Sequence, residues 1–300
     1  MSPKTKDWII AARPWSFPAS TMPALIAVSY AFYMQSKMAM DVNWWYGVLA
    51  ILGAAIFQAS GNLISDYFDY KHKVDRAETF GSSRMLVDGV FKPKTILFYG
   101  LTLLILGSII GLYLLLNTSV DLLWIGAIGV LGTYFYYKLK FNALGDVTIF
   151  VIYGLLISLG TYLVATNMLN WKLLLIGAAP GFLIVNILHA NNTRDIKHDG
   201  EANIKTQAML LGVKNSISQY IILGIGAYII IALSVVFGIL HPLCLVVFLT
   251  FPVLMKNIKQ IKLAEFDKPE IIKDMDASSA QLVMMFSLLL AVANFIAGIL

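Results

Sequence analysis

The sequence predicts an all-α, polytopic membrane protein with nine transmembrane helices around one central cavity open to the cytoplasm. Three observations predict it. The 300-residue chain is 59% hydrophobic and 13% charged, with a mean hydropathy of +0.77. That balance excludes an ordinary soluble domain. Apolar stretches near the ~20 residues that cross a bilayer recur along the whole length. The basic residues gather at alternate connections, as the positive-inside rule requires.

The elements follow in order. Lys4, Lys6 and Arg13 precede the first span, 15–35, and a short link leads to the second, 44–65. A long loop then carries Lys71, Lys73, Arg76, Arg84, Lys92 and Lys94. Spans 95–116 and 119–137 are closely joined and end at Lys138 and Lys140. Spans 144–166 and 171–190 follow, then a loop with Arg194, Lys197, Lys205 and Lys214. Spans 216–239 and 241–256 lead to Lys256, Lys259, Lys262, Lys268 and Lys273, and 278–299 closes the chain. With a cytoplasmic N-terminus, 20 of the 22 Lys and Arg are inside and only Lys37 and Lys172 outside. This gives an inner-membrane protein with its N-terminus inside and its C-terminus outside. The N-terminus shows no signal-peptide cleavage pattern. No linker divides residues 1–300, which read as one domain. The lone Cys244 allows no intrachain disulfide and reads as a buried small residue. The net charge of +5 is explained by the basic loops, and nucleic-acid binding is not expected.

Two acidic clusters stand at the ends of spans two and six: Asn62, Asp66, Asp69 and Asp75, then Asn191, Asp195 and Asp199. On a helix, neighbours three and four apart share a face, so each cluster forms a row of one amide and two carboxylates. Charges this close to a bilayer are costly and call for a function. Hard oxygen ligands suit Mg²⁺, which is completed by waters and phosphate oxygens. No His or Cys has zinc-like spacing. A diphosphate neutralised by Mg²⁺ fits both rows, with Lys73, Arg84, Arg194 and Lys205 as candidate partners for its oxygens. The rival reading is an ion-transport path. It is disfavoured because the carboxylates sit at helix ends rather than mid-span. His72 and His198 lie in the cluster loops and read as solvated. His189, one turn before Asn192, is placed to pack in the cavity wall. His241 lies on the outer side.

At these residues the chain resembles the UbiA-type superfamily of intramembrane prenyltransferases, and within it the menaquinone branch acting on 1,4-dihydroxy-2-naphthoate. ARPWSFPASTMPALIA (12–27) is similar to that branch's first helix. NLISDYFDYKHKVD (62–75) has its spacing, with Asp at +4, +7 and +13 from the Asn. GDVTIFVIYGLLISLGTYLV (145–164) resembles its fifth helix, and NNTRDIKHDGEANIKTQAMLLG (191–212) its second motif. Departures are Ser65, Gly81-Ser82-Ser83-Arg84, and Asn203-Ile204 before Lys205. They leave the Asp positions intact.

The resemblance implies Mg²⁺-dependent transfer of a polyprenyl group from polyprenyl diphosphate to an aromatic acceptor. Asp66, Asp69, Asp195 and Asp199 would hold the metal, with Asn62 and Asn191 orienting ligands. Asp75 is either a further metal ligand or an anchor for its loop. The allylic cation needs aromatic walls, for which Tyr67, Tyr70, Tyr134, Tyr136, Tyr137 and Tyr153 are candidates. With 1,4-dihydroxy-2-naphthoate the reaction would release CO₂ and diphosphate and lead to demethylmenaquinone. Alternative acceptors are 4-hydroxybenzoate, homogentisate or a glyceryl phosphate lipid.

Overall fold

A computed structural model describes residues 3–80 and 82–300; Gly81, quoted above, lies outside them. The fold is 78% helix, without strands among the described residues. The chain enters through the short helix α1 (Thr5–Ala11), whose N-terminus is closed by Lys4 N–H donating to Asp7 Oδ2 at 2.7 Å. Trp8 packs edge-on against Phe91 and Tyr99, fixing α1 on the loop side of the bundle. Arg13 then takes a left-handed conformation (φ 56°), and Pro18 opens α2 (Pro18–Met38). Proline is suited to a first helical turn, where its missing N–H has no partner to lose.

The long elements are α3 (Trp44–Lys71), α4 (Pro93–Asn117) and α5 (Leu122–Lys140). Next come α6 (Gly145–Ile149) and α7 (Ile157–Thr166), continuous through a π-helical segment, Phe150–Leu156. They are followed by α8 (Lys172–Arg194), the short α9 (Ile196–Glu201) and α10 (Gln207–Val236). A 3₁₀ stretch, Pro242–Thr250, runs into α11 (Phe251–Ile261), and α12 (Met275–Ile299) ends the chain. Eight spans among the described residues are long and apolar enough to cross a membrane. The expected first span is a 21-residue helix, α2, but it is not apolar enough to join them. Ser20, Thr21, Ser29, Gln35 and Ser36 lower its hydropathy. Ser20 and Ser29 are buried within the bundle, where their hydroxyls donate to backbone carbonyls of Phe17 and Ile26.

Helix lengths position the site. At 1.5 Å per residue, the 28 residues of α3 extend about 42 Å, against a hydrocarbon core of about 30 Å. It is thus longer than the apolar layer is thick, and its C-terminal two turns carry Asp66 and Asp69. The expected end at residue 65 was set by apolarity, whereas the helix continues to Lys71. Elsewhere in the bundle, α8 crosses the π-helical segment at very close range. A Cβ on Gly177 would collide with the Gly154 carbonyl, and one on Gly181 with the Gly154 Cα. This approach seats α8 deep in the molecule and turns Tyr153 toward the cavity. The core is built on Ile26, Tyr30, Leu159, Tyr162, Tyr228 and Phe286. Leu116, Ile222 and Val236 face outward, as lipid-facing residues do.

Candidate active site

The polar ends of α3 and α8 meet across a cavity of about 350 Å³. On the α3 side, Asn62 Nδ2 donates to the Ala12 carbonyl (3.0 Å) and to Ser16 Oγ (2.9 Å), tying the N-terminal segment to the row. Asp66 is buried and fully engaged. It accepts from Arg13 Nη1 (3.2 Å), Ser83 Oγ (2.7 Å) and Ser83 N–H (3.3 Å). Asp69 accepts from Lys140 Nζ (3.1 Å) and Ser65 Oγ (3.2 Å), while its Oδ1 is buried without a hydrogen-bond partner.

The second row survives a helix boundary. Asp195 caps α8, yet its N–H donates to the Asn191 carbonyl (2.9 Å) and the Asp199 N–H donates to the Asp195 carbonyl (2.8 Å). The helical repeat thus carries through to α9. Arg194 grips Asp195 with two bonds, Nε–Oδ1 at 2.8 Å and Nη2–Oδ2 at 2.7 Å. It also donates to the Lys273 carbonyl and stacks over Phe80.

Asn62, Asp69, Asp75, Asn191, Asp195 and Asp199 all line the one cavity, with Asp66 immediately behind its wall. Of the four expected diphosphate partners, only Arg194 lines it. Lys73 and Arg84 occupy left-handed turns (φ 60° and 59°). Lys73 is exposed, and Arg84 pairs with Asp88 at 3.1 Å. Lys205 is exposed too; its backbone bonds to Phe141 and Ala143. The cavity's other cations are Arg13 and Lys140; the sequence placed both in the topology count, and Arg13 also in the first-helix likeness, without assigning either to the diphosphate. Both are long side chains reaching in from a different element, and nothing in local spacing marks that. Of the six candidate tyrosines, Tyr136 and Tyr153 line the cavity. Tyr137 instead stacks on Phe68, with ring centroids 3.5 Å apart. His198 is a lining residue. His189 is not in the wall as expected; it lies fully buried behind it.

Asp75 forms no ion pair among the described residues, which removes the basic anchor expected for it. Burial raises its carboxyl to about 7; Asp69 and Asp66 add to the rise, and Lys140 opposes it. Burial likewise raises Asp199 to about 7, opposed by Lys140 and reinforced by Asp195 and Asp69. Each carboxyl thus lies where a nearby cation would favour losing the proton.

No three acidic or imidazole groups converge as a ready metal centre among the described residues. Arg13, Lys140 and Arg194 draw Asp66, Asp69 and Asp195 onto separate partners instead. The donor set nevertheless fits a hard cation. The unpartnered Asp69 Oδ1 and Asn191 Oδ1 are buried oxygens of residues that line the cavity, and such oxygens call for a donor or a cation. Ile149, Ile152, Ile184 and Ile187 add apolar lining to the same cavity.

The fold and cavity define a helical membrane bundle with a carboxylate-lined site, and the family match assigns its chemistry. Residues 20–275 match the UbiA prenyltransferase family, and the chain belongs to that family. It is 32% identical over 237 residues to UbiA prenyltransferase domain-containing protein 1 of Gallus gallus, covering 76% of this chain and 68% of that relative. The match to the Homo sapiens protein of that description, also 32% identical, spans 62% of its length. A 1,4-dihydroxy-2-naphthoate octaprenyltransferase of Bacillus subtilis (strain 168) is 28% identical over 289 residues, covering 95% of this chain and 90% of that one. Among solved structures, a UbiA homolog from Aeropyrum pernix K1 superposes with a TM-score of 0.70 at 16% identity, covering 93% of this chain and 98% of its own. A homolog from Archaeoglobus fulgidus, bound to DMAPP and Mg²⁺, gives 0.60 at 14%, covering 95% and 99%. These last likenesses show the shared fold.

Proposed function

We propose that this protein transfers a polyprenyl group from polyprenyl diphosphate to 1,4-dihydroxy-2-naphthoate, with Mg²⁺ as cofactor. One observation carries the reading. Two carboxylate rows and three fixed cations converge on a cavity that is also lined by isoleucines and by Tyr136 and Tyr153. The naphthoate is supported by the Bacillus subtilis relative, whose match runs nearly the length of both chains. The chain acts as one domain of nine spans, with its N-terminus and cavity cytoplasmic.

Asp69, Asp75, Asp195 and Asp199 would hold the metal, joined by Asp66 once Arg13 releases it. Mg²⁺, when bound, supplies the Lewis-acid neutralisation that makes diphosphate a good leaving group. Arg13, Lys140 and Arg194 take the oxygens of the departing diphosphate with charge-assisted bonds. Asn62 and Asn191 orient the polar end. Tyr136 and Tyr153 face the allylic carbon as its C1–O bond breaks, and the isoleucine wall excludes water from the cation. The ring carbon bearing the acceptor's carboxylate forms the new bond to C1. The carbon–carboxylate bond then breaks, CO₂ leaves, and its electron pair restores the aromatic ring. The product is a prenylated naphthoquinol, whose oxidation yields demethylmenaquinone. A polyprenyl tail gains roughly 0.8 kcal/mol per buried CH₂, which keeps that substrate in the bilayer.

Purified protein with Mg²⁺, a polyprenyl diphosphate and the naphthoate should release CO₂ and form the prenylated quinol. Prenylation of 4-hydroxybenzoate, homogentisate or a glyceryl phosphate lipid alone would reassign the acceptor. No turnover with any acceptor would leave a transport role.

A further inference from the structure

Behind the cavity wall lies a polar cluster that the proposed chemistry does not use. Asp146, at the start of α6, and His189, on α8, are both buried, and His189 Nδ1 lies 2.6 Å from Asp146 Oδ2. The other ring nitrogen, Nε2, lies 3.1 Å from the Ser216 carbonyl on α10. Nδ1 thus faces the carboxylate and, at 3.3 Å, the Gln219 amide nitrogen, while Nε2 faces a backbone carbonyl. Gln219 Nε2 on α10 donates to Asp146 Oδ2 at 3.0 Å, and Asn192 Nδ2 on α8 reaches Oδ1 at 3.4 Å. Gln219 is itself oriented by Gln207 at 2.9 Å. Three helices are thus tied at one carboxylate.

The geometry on α8 gives this knot a purpose. His189 and Asn191 are two residues apart, about 200° of helical rotation. The anchor therefore grips one face of α8 while the opposite face presents Asn191 and, one turn on, Asp195 to the cavity. A rotation by one residue, about 100°, would move Asn191 and Asp195 off the position they hold against the first row. The segment also needs such a fixture. Pro180 removes a hydrogen bond from the ladder of α8, and α8 itself ends at Arg194, so the row runs across the junction with α9.

We infer that Asp146 and His189 form a buried positioning pair that sets the rotation of α8, so that the second acidic row faces the first. The inference rests on the metal–diphosphate reading of the cavity, though not on which acceptor is used. Lost outer partners of metal ligands typically cost 10–100-fold in metal affinity, roughly the effect expected here.

The test is direct Mn²⁺ binding by electron paramagnetic resonance in detergent-purified protein, with geranyl thiodiphosphate as an unreactive diphosphate. Asp146→Asn and His189→Gln should each weaken Mn²⁺ binding by about tenfold or more. The double variant should be little worse than the poorer single one, because the two act as a unit. Tyr228→Phe removes a buried hydrogen bond to Thr250, away from the cavity lining. It should lower the melting temperature while leaving Mn²⁺ affinity within about twofold, separating positioning from general stability. Gln219→Leu removes a single donor to Asp146 and should give a smaller loss in the same direction, a check that holds if Asp146→Asn does not accumulate. Wild-type Mn²⁺ affinity in Asp146→Asn and His189→Gln, or in Gln219→Leu where only that variant is obtained, would overturn the inference. Failure of the unmodified protein to bind Mn²⁺ with the diphosphate would instead overturn the reading beneath it, and the inference with it.

Discussion

Arg13 and Arg84 stand on opposite sides of the question of which cations serve the diphosphate. Arg13 lines the cavity, and its Nε is buried without a partner. Arg84 is 41% exposed and spends its charge on Asp88. Arg13→Ala should therefore lower kcat/KM by about 100-fold, as loss of a preorganised donor does, and Arg84→Ala by no more than about threefold. Steady-state kinetics on both variants check this; equal losses would contradict the assignment. The acidic residues were legible in the sequence because spacing of three and four on a helix fixes a common face. The cations were not, because Lys and Arg reach several ångströms and take whichever carboxylate the fold brings near. For Arg84 that is a neighbour four residues on; for Lys140 it is Asp69, 71 positions away. The carboxyls of Asp75 and Asp199 add a pH dependence. Both are raised to about 7, and metal binding displaces their protons. Mn²⁺ affinity should fall by about tenfold per pH unit below that value for each proton displaced. The sign for stability is opposite. Their unfolded value is near 3.9, so between about pH 4 and 7 the metal-free folded protein binds more protons than the unfolded chain. Its stability from this source falls as pH rises through that window. Melting curves in EDTA should show the decline, and Mg²⁺ should reverse it at pH 7.5.

Helix packing sets the frame within which those residues act. The helices were legible because apolar runs of bilayer length announce themselves. Their ends were not, because apolarity marks the lipid while hydrogen bonding marks the helix, and α3 continues six residues beyond the expected boundary at 65. Two features left no periodic signal at all: the π-helical segment at Phe150–Leu156 and the break at Gly212 (φ 70°) inside α10. The first matters to the site, since π-helical turns are frequent at functional positions and this one carries Tyr153. Its tight crossing with α8 depends on glycine. Gly177→Ala should cost about 1–3 kcal/mol, because the new methyl meets backbone that cannot move aside. Gly111→Ala, on α4 with nothing within 4 Å, should be neutral or gain up to about 1 kcal/mol from helix propensity. Thermal melts in detergent compare the two, and a neutral Gly177→Ala would show that the crossing is slack.

At the scale of the whole molecule, the acidic cavity and the basic connections share one end. Arg76 bonds to Glu201 at 2.7 Å, joining the two cluster loops, and Lys197 bonds to Asp267 at 2.8 Å, joining α9 to the loop before α12. The strand-like contact of Asn142 with Lys205 brings in the turn after α5. Asn43 meets Ala165 at the opposite end. If the positive-inside rule governs insertion, the crowded end is cytoplasmic. Impermeant maleimide labelling tests both this and the ninth span. The native Cys244 is fully buried and should stay silent, leaving a clean background. Lys262→Cys and Lys4→Cys should label only in inside-out vesicles, Lys37→Cys and Lys172→Cys only in right-side-out ones. Lys4 and Lys37 are separated by α2 alone among the long helices, so their labelling from one side would mean that α2 does not cross. Reversal of all four would place the cavity outside. The soluble naphthoate and the diphosphate headgroup would then have to be supplied from the side opposite to the one the charge distribution favours.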